Sequence, residues 1–272
     1  MQDDLVERVV QQVMSQVSSA TAKTANGNGA PAPAAPPAPT LGRNPGLTEF
    51  VGTAIGDTIG IVIANLDPVL HEKLGLDKKY RSVGILSDRT GAGPQIMAAD
   101  EAVKATNTEI VRIELPRDTK GGAGHGCLIL FGAEEVSDAR RAIEVALKDL
   151  PRTFGDVYAN DAGHVELQYT ARASFAIQKV FNAPLGRAFG LCVAGPAGIG
   201  VLMADAALKS ADVDCLGVSG PTSGLSYTNE VLALFSGDAG AVRQAIMAAR
   251  EVGIKLLGTL GEPPKSLGVP YI

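Results

Sequence analysis

Residues Ile96–Thr106 read IMAADEAVKAT and residues Val201–Ala211 read VLMADAALKSA, in register at a constant offset of 105. Asp100 aligns with Asp205, Lys104 with Lys209, and the apolar set Ile96, Ala99, Val103 with Val201, Ala204, Leu208. Spacing of i, i+3, i+7 puts each apolar set on one face of an α-helix that covers a sheet, so all six side chains are expected in the core. The register extends past the helix. Pro116 falls on Pro221 and Gly132 on Gly237, so a strand, a loop and a second strand are duplicated as well. A 272-residue chain that repeats a unit of this size holds two homologous domains, each able to bury its own core.

The segments around the repeat complete an α/β pattern. Residues 49–56 (EFVGTAIG), 58–65 (TIGIVIAN) and 80–86 are rich in β-branched and small side chains and read as strands. Asp67 caps a short helix that has Pro68 at its first position, where a missing N–H does no harm. The turn TGAGP leads into the first repeated helix. The strand Ile110–Leu115 follows, alternating Val111, Ile113 and Leu115 against Arg112 and Glu114, which predicts one buried and one wetter face. A glycine-rich loop, RDTKGGAGHG, then precedes a strand from Cys127 to Phe131 and a helix from Ser137 to Leu150. From Val157 the order recurs: strand 164–170, helix 174–181, strand 187–193, the second repeated helix, strand 215–218, the loop SGPTSGLSYTN, strand 231–235 and a closing helix 241–252. Each half is an α/β sandwich. The tail GEPPKSLGVPYI is expected to be irregular, because proline and glycine dominate it.

Composition removes several functions. A formal charge of -5 without runs of Lys or Arg argues against nucleic-acid binding. No apolar stretch reaches membrane-spanning length, and the acidic amino terminus is no secretory signal. Cys127, Cys192 and Cys215 form no CxxC, and His71, His125 and His164 lack metal-ligand spacing, so neither a disulfide framework nor a metal site is expected. The glycine loops match neither GxGxxG at the start of a helix nor GK[ST], which argues against a nucleotide. No Ser, Cys or carboxylate stands in a nucleophile or acid–base motif, so the chain reads as a non-enzyme without a cofactor. A soluble regulator that holds a small molecule in its glycine-rich loops is the alternative from another class.

Ahead of the domains, Val6, Val9, Val10, Val13, Met14 and Val17 recur at helical spacing, and residues 18–46 are Ala, Pro, Ser, Thr, Asn and Gly with little charge. A fifteen-residue amphipathic helix is marginal alone and needs a partner surface, while such a linker is expected to be disordered. Residues 1–46 therefore read as a docking helix on a tether, with folding back onto the chain as the plainer alternative. The division expected is 1–46, 47–156 and 157–272.

The stretches MAADEAVKATNTEI and MADAALKSADVD, with TEFVGTAIGDTIG, RDTKGGAGHG and RTFGDVYAN, resemble the shell domain of bacterial microcompartments. The tandem arrangement resembles the trimer-forming shell proteins of propanediol-utilisation compartments, in the circularly permuted branch of that family. The resemblance covers residues 47–272. It implies two ferredoxin-like α/β domains doing the work of two subunits, a homotrimer forming a pseudohexameric tile, and tiles packed with other shell proteins around encapsulated enzymes in the bacterial cytoplasm. It implies that Lys104 and Lys209 lie at tile edges. It also implies that loops 117–126 and 219–228 rim a pore for small polar metabolites, with Arg117, Asp118, Lys120, Gly122, Gly124, His125, Ser219, Ser223 and Ser226 as candidate lining. Some relatives hold an iron–sulfur cluster on a pore cysteine, but Cys127 begins a strand, which speaks against one here. The amphipathic helix is expected to bind cargo enzymes.

Overall fold

A computed structural model describes residues 44–89, 91–116, 126–223 and 228–272. The amphipathic helix with Val6, Val9, Val10, Val13, Met14 and Val17, and the loop residues Arg117, Asp118, Lys120, Gly122, Gly124, His125 and Ser226, lie outside the described residues. The first half consists of β1 (Phe50–Ala54), β2 (Thr58–Ile63), α1 (Pro68–Leu74), β3 (Ser82–Asp88), α2 (Gly93–Lys104), β4 (Glu109–Glu114), β5 (Cys127–Ala133) and α3 (Val136–Thr153). The second repeats the order with β6 (Val157–Asn160), β7 (Gly163–Thr170), α4 (Phe175–Phe181), β8 (Ala188–Gly195), α5 (Ala197–Ser210), β9 (Asp214–Ser219), β10 (Val231–Gly237) and α6 (Ala239–Leu257), then a 3-10 turn (Gly258–Leu260) and β11 (Lys265–Ser266). Both sheets are antiparallel, in the orders β1-β2-β3-β5-β4 and β11-β6-β7-β8-β10-β9. No described helix is long and apolar enough to cross a membrane.

Each sheet carries two helices on one face. On α3 the buried side chains Ala139, Ala142, Ile143, Ala146 and Leu150 follow the helical period, and they pack onto β1, β2 and β3. Glycine permits the close approach: a Cβ on Gly60 would stand 2.8 Å from Leu147 Cδ1, and one on Gly84 3.1 Å from the Ala139 carbonyl. Asp67 accepts a hydrogen bond from the Val69 N–H at 2.8 Å and begins α1, while Gly75, at φ 64°, ends it.

Three expectations need correction. The tail is not irregular throughout: Lys265 and Ser266 pair with Ala159 and Tyr158, and the N–H groups of Tyr271 and Ile272 donate to Asp156 at 2.8 and 3.1 Å. Simple alternation fails on β4, where an irregularity between Ile110 and Arg112 turns Val111 to the outer face while Ile113 and Leu115 pack inward with Ile110. The second half buries an apolar cluster of its own under α5 and α6, but the core of the first half is not separate. One apolar cluster joins Ile96, Ala99, Val103 and Ile113 of the first half to Ala176, Ile177, Phe181, Leu191 and Leu232 of the second.

Candidate assembly surfaces

The two copies of the repeated helix have the same period and different surroundings. The side of α2 that carries Ile96, Ala99 and Val103 packs on α4 and on the outer face of the second sheet. Its equivalents on α5 meet nothing comparable: Val201 is 58% exposed and Leu208 43%, and only Ala204 is buried. The expectation that all six lie in the core is therefore corrected. The side of α5 that covers its own sheet is Ile199, Met203, Ala204 and Ala207, offset around the helix from Val201 and Leu208. A period of 3.6 specifies a stripe but not which of two adjacent stripes meets the sheet.

The ion pairs differ in the same way. Asp100 is fully buried and takes hydrogen bonds from both the N–H (3.0 Å) and the hydroxyl of Ser174, the residue that begins α4. Its second oxygen holds Lys104 Nζ at 2.6 Å, and the ammonium also reaches Glu101 at 2.8 Å and Thr170 at 3.4 Å. Burial works against the charge on Lys104, but the hydrogen bonds to Asp100 and Glu101 outweigh it and its pKa is raised. In the second copy Lys209 meets Asp205 at 2.7 Å, with their side chains 76% and 47% exposed. Such an open pair is worth ~0.3–0.5 kcal/mol, whereas breaking the buried one costs ~3–5 kcal/mol. Beside Lys104 a groove opens between the halves, with Thr108, Glu109, Phe175 and Lys179 on its walls. Phe175 is 69% exposed there.

Of the candidate pore residues, two lie among the described residues. Ser219 ends β9 opposite Leu232 and is buried. Ser223 closes a turn: its hydroxyl accepts from the Gly220 N–H at 3.1 Å, and its own N–H donates to the Gly220 carbonyl at 3.1 Å. The base of the first loop is closed by the Gly126 N–H donating to the Pro116 carbonyl at 3.0 Å.

Sequence reasoning did not single out the polar groups buried between the halves. Glu166 on β7 faces the first turn of α2, where a Cβ on Gly93 would collide with its carboxylate. Gln168 Nε2 donates to Glu166 at 3.3 Å and to the Thr153 carbonyl at 2.9 Å. Burial raises the Glu166 pKa to about 7. His164 Nε2 lies 3.2 Å from Glu230 Oε2, both buried. On the first-half side Gln95 Nε2 donates to Thr58 Oγ1 and to Asp88 Oδ2, each at 3.0 Å. The sequence pointed the other way: His164, Glu166 and Gln168 alternate with Val165 and Leu167 on β7, so they read as a wet face, and only packing against the first half encloses them.

Among the described residues no group of three or more His, Cys, Asp or Glu could hold a metal ion. Cys127 and Cys192 are buried, and desolvation raises the thiol pKa well above the usual value for the former and to about 12 for the latter.

The BMC domain model matches this chain twice, over residues 82–161 and 188–262. The bacterial microcompartment shell protein PduB of Citrobacter freundii is 58% identical over 270 residues, 99% of each chain. A crystal structure of a trimeric shell protein PduB superposes with a TM-score of 0.80 at 56% identity, covering 83% of this chain and all of the other. EtuB from Clostridium kluyveri gives 0.81 at 57% identity, over 84% of this chain and all of the other.

Proposed function

We propose that this chain, which belongs to the BMC domain family and is a structural shell protein of a bacterial microcompartment rather than an enzyme, works as one third of a pseudohexameric tile. The observation that carries this reading is the duplication itself. One copy of the repeated helix has its outer stripe covered inside the chain, the other has it open, and three chains about a threefold axis supply a cover for every copy. The crystallised PduB relative is described as trimeric. A tile of three 28.0 kDa chains has a mass of about 84 kDa.

Within that tile Lys104 and Lys209 lie at edges that meet neighbouring tiles and other shell proteins. Lys104 is suited to this: Asp100 holds its ammonium in place, its side chain is still 29% exposed, and a groove with an exposed aromatic ring lies alongside. The two inter-strand loops gather around the threefold axis, where glycine allows close packing, and small polar metabolites pass between them. The amino-terminal helix with its Ala/Pro linker holds cargo enzymes at the shell.

Sedimentation and electron microscopy test the tile directly. Particles of about 84 kDa that lay down hexagonally packed sheets are expected; monomers that bind small ligands through the loops would sink the tile in favour of a regulator. Lys209→Met keeps the aliphatic stem and removes an ammonium whose pair with Asp205 is open to water, so sheets should be weakened while trimers persist. Normal sheets from that variant would remove Lys209 from the edge. Deleting residues 1–46 should leave tiles intact and release enzymes from purified compartments; full enzyme retention would refute the tether.

A further inference from the structure

The outer face of β7 departs from its copy in the first half. His164, Glu166 and Gln168 stand there, while at an offset of 105 the same positions on β2 are Ile59, Ile61 and Ile63. The fold thus tolerates an apolar row at these positions, and a polar row is enclosed where the halves meet. Glu166 is the member of that row with the poorest partners. Its one hydrogen bond among the described residues comes from Gln168 Nε2 at 3.3 Å. Asp88, by contrast, accepts from the Cys127 N–H at 2.8 Å and from Gln95 Nε2 at 3.0 Å, and Glu230 faces His164 Nε2 at 3.2 Å. The helix end that Glu166 touches adds nothing: Pro94 has no N–H, and no other N–H of that described turn of α2 donates to the carboxylate.

The seam has more acceptors than donors. Gln95 Oε1 and Gln168 Oε1 are buried without a donor, and neither amide can turn to help, because each Nε2 already serves two oxygens. The titratable groups that face Glu166 are His164 on β7, Glu230 ahead of β10 and Asp88 at the end of β3; the stretches of α2, α4 and β8 that wall the site present none. Glu230 and Asp88 oppose a charge on Glu166, and His164 favours it. A cavity of about 40 Å³ walled by Ile96, Leu115, Phe181 and Leu191 lies beside the carboxylate, so Glu166 is half-buried by area although protein surrounds it. The space has room for water and a largely apolar wall that holds it poorly.

We propose that the seam is a proton-operated latch. The first turn of α2 seats on β7 while Glu166 carries a proton, and loss of that proton favours a state in which the turn lifts and water enters the cavity. A neutral carboxyl can press against the bare Cα of Gly93 and donate to an acceptor of the seam. A carboxylate in the same place faces acceptors and apolar walls, and its charge is relieved only by water. α2 runs on from that turn to Asp100 and Lys104, so the proton also sets how firmly the covered copy of the repeated helix is held. The latch lies within one chain and does not depend on the tile.

Hydrogen exchange of the full chain, read on the α2 amides of residues 96–99 and corrected for the pH dependence of intrinsic exchange, decides it. One proton released per opening makes protection fall ~tenfold per pH unit from about pH 5 to about pH 7 and then level off. These amides should also exchange faster than those of α6 throughout. Glu166→Gln keeps the shape, and Glu166→Ile installs the residue of the first-half copy; either should hold protection at its acid-side value across the range. A parent with no slope, a slope that survives in a folded variant, or protection that rises with pH because the carboxylate caps α2 would overturn the latch. So would exchange of α2 and α6 at one common rate, which would mean that the seam opens only when the whole chain unfolds.

Discussion

Glu166 shows how a single side chain can oppose the fold that encloses it. Its pKa of about 7 results first from burial, against ~4.3–4.5 in an unfolded chain. A raised acid favours the neutral folded form, so the sign runs against stability as pH rises. Below about pH 4.5 both states are protonated and nothing is lost; between about 4.5 and 7 the unfolded state ionises first; above that the penalty levels at about 3 kcal/mol. Glu166→Gln keeps the shape and the contact with Gln168, so it should stabilise the protein at pH 8 and not at pH 4.5. Urea titrations at the two pH values check this, and an equal difference at both would rule out the linkage. Asp156 is enclosed as well, but among hydrogen-bond donors. Fully buried, it accepts from the N–H groups of Tyr271 and Ile272, the Tyr158 hydroxyl and Arg250, so its charge is satisfied from four sides.

Among the elements, the long helices were legible as helices: α3 and α6 each bury one stripe at helical spacing, because one face meets the sheet and the other meets water. The repeated helices were legible as helices but not in orientation, since each has apolar residues on two adjacent stripes and only the packing chooses between them. β4 was misread because an irregular register shifts the side-chain alternation, and nothing in IVRIEL marks where that falls. The tail was misread because its two strand residues depend on a partner 106 residues away, Lys265 on Ala159, and on Asp156. Truncation after Gly261 removes β11 and the two N–H donors to Asp156, leaving that carboxylate with less compensation beside Arg250. A loss of ~2–4 kcal/mol is expected, read as a lower denaturant midpoint; a shift under ~0.5 kcal/mol, the range of a neutral surface change, would mean the tail only decorates the fold.

The whole molecule has one seam made by the covalent chain and, in the tile, one made by association. Joining the halves removes the translational cost of the internal contact, so the internal seam can bury a charged pair while the open one keeps its charges near water. Assembly of tiles should therefore respond to salt and concentration while each chain stays folded. Melting curves by far-UV circular dichroism should move little with dilution while the sedimenting species shifts from trimer to monomer; loss of both together would mean that the chain does not fold alone.

The amino-acid sequence by itself determined the duplication, the order of helices and strands, the absence of motifs for catalysis or cofactor binding, and the family to which the chain belongs. These are local periods and internal registers, and they survive without knowledge of distant neighbours. Only the tertiary structure decided that Asp100 is buried while Asp205 is not, that Val201 and Leu208 face outward, and that Glu166 lies against Gly93. The reason is that two near-identical helices receive their environments from contacts 70 or more residues away, such as Ser174 on Asp100, and a repeated sequence carries no mark of which copy has its cover inside the chain.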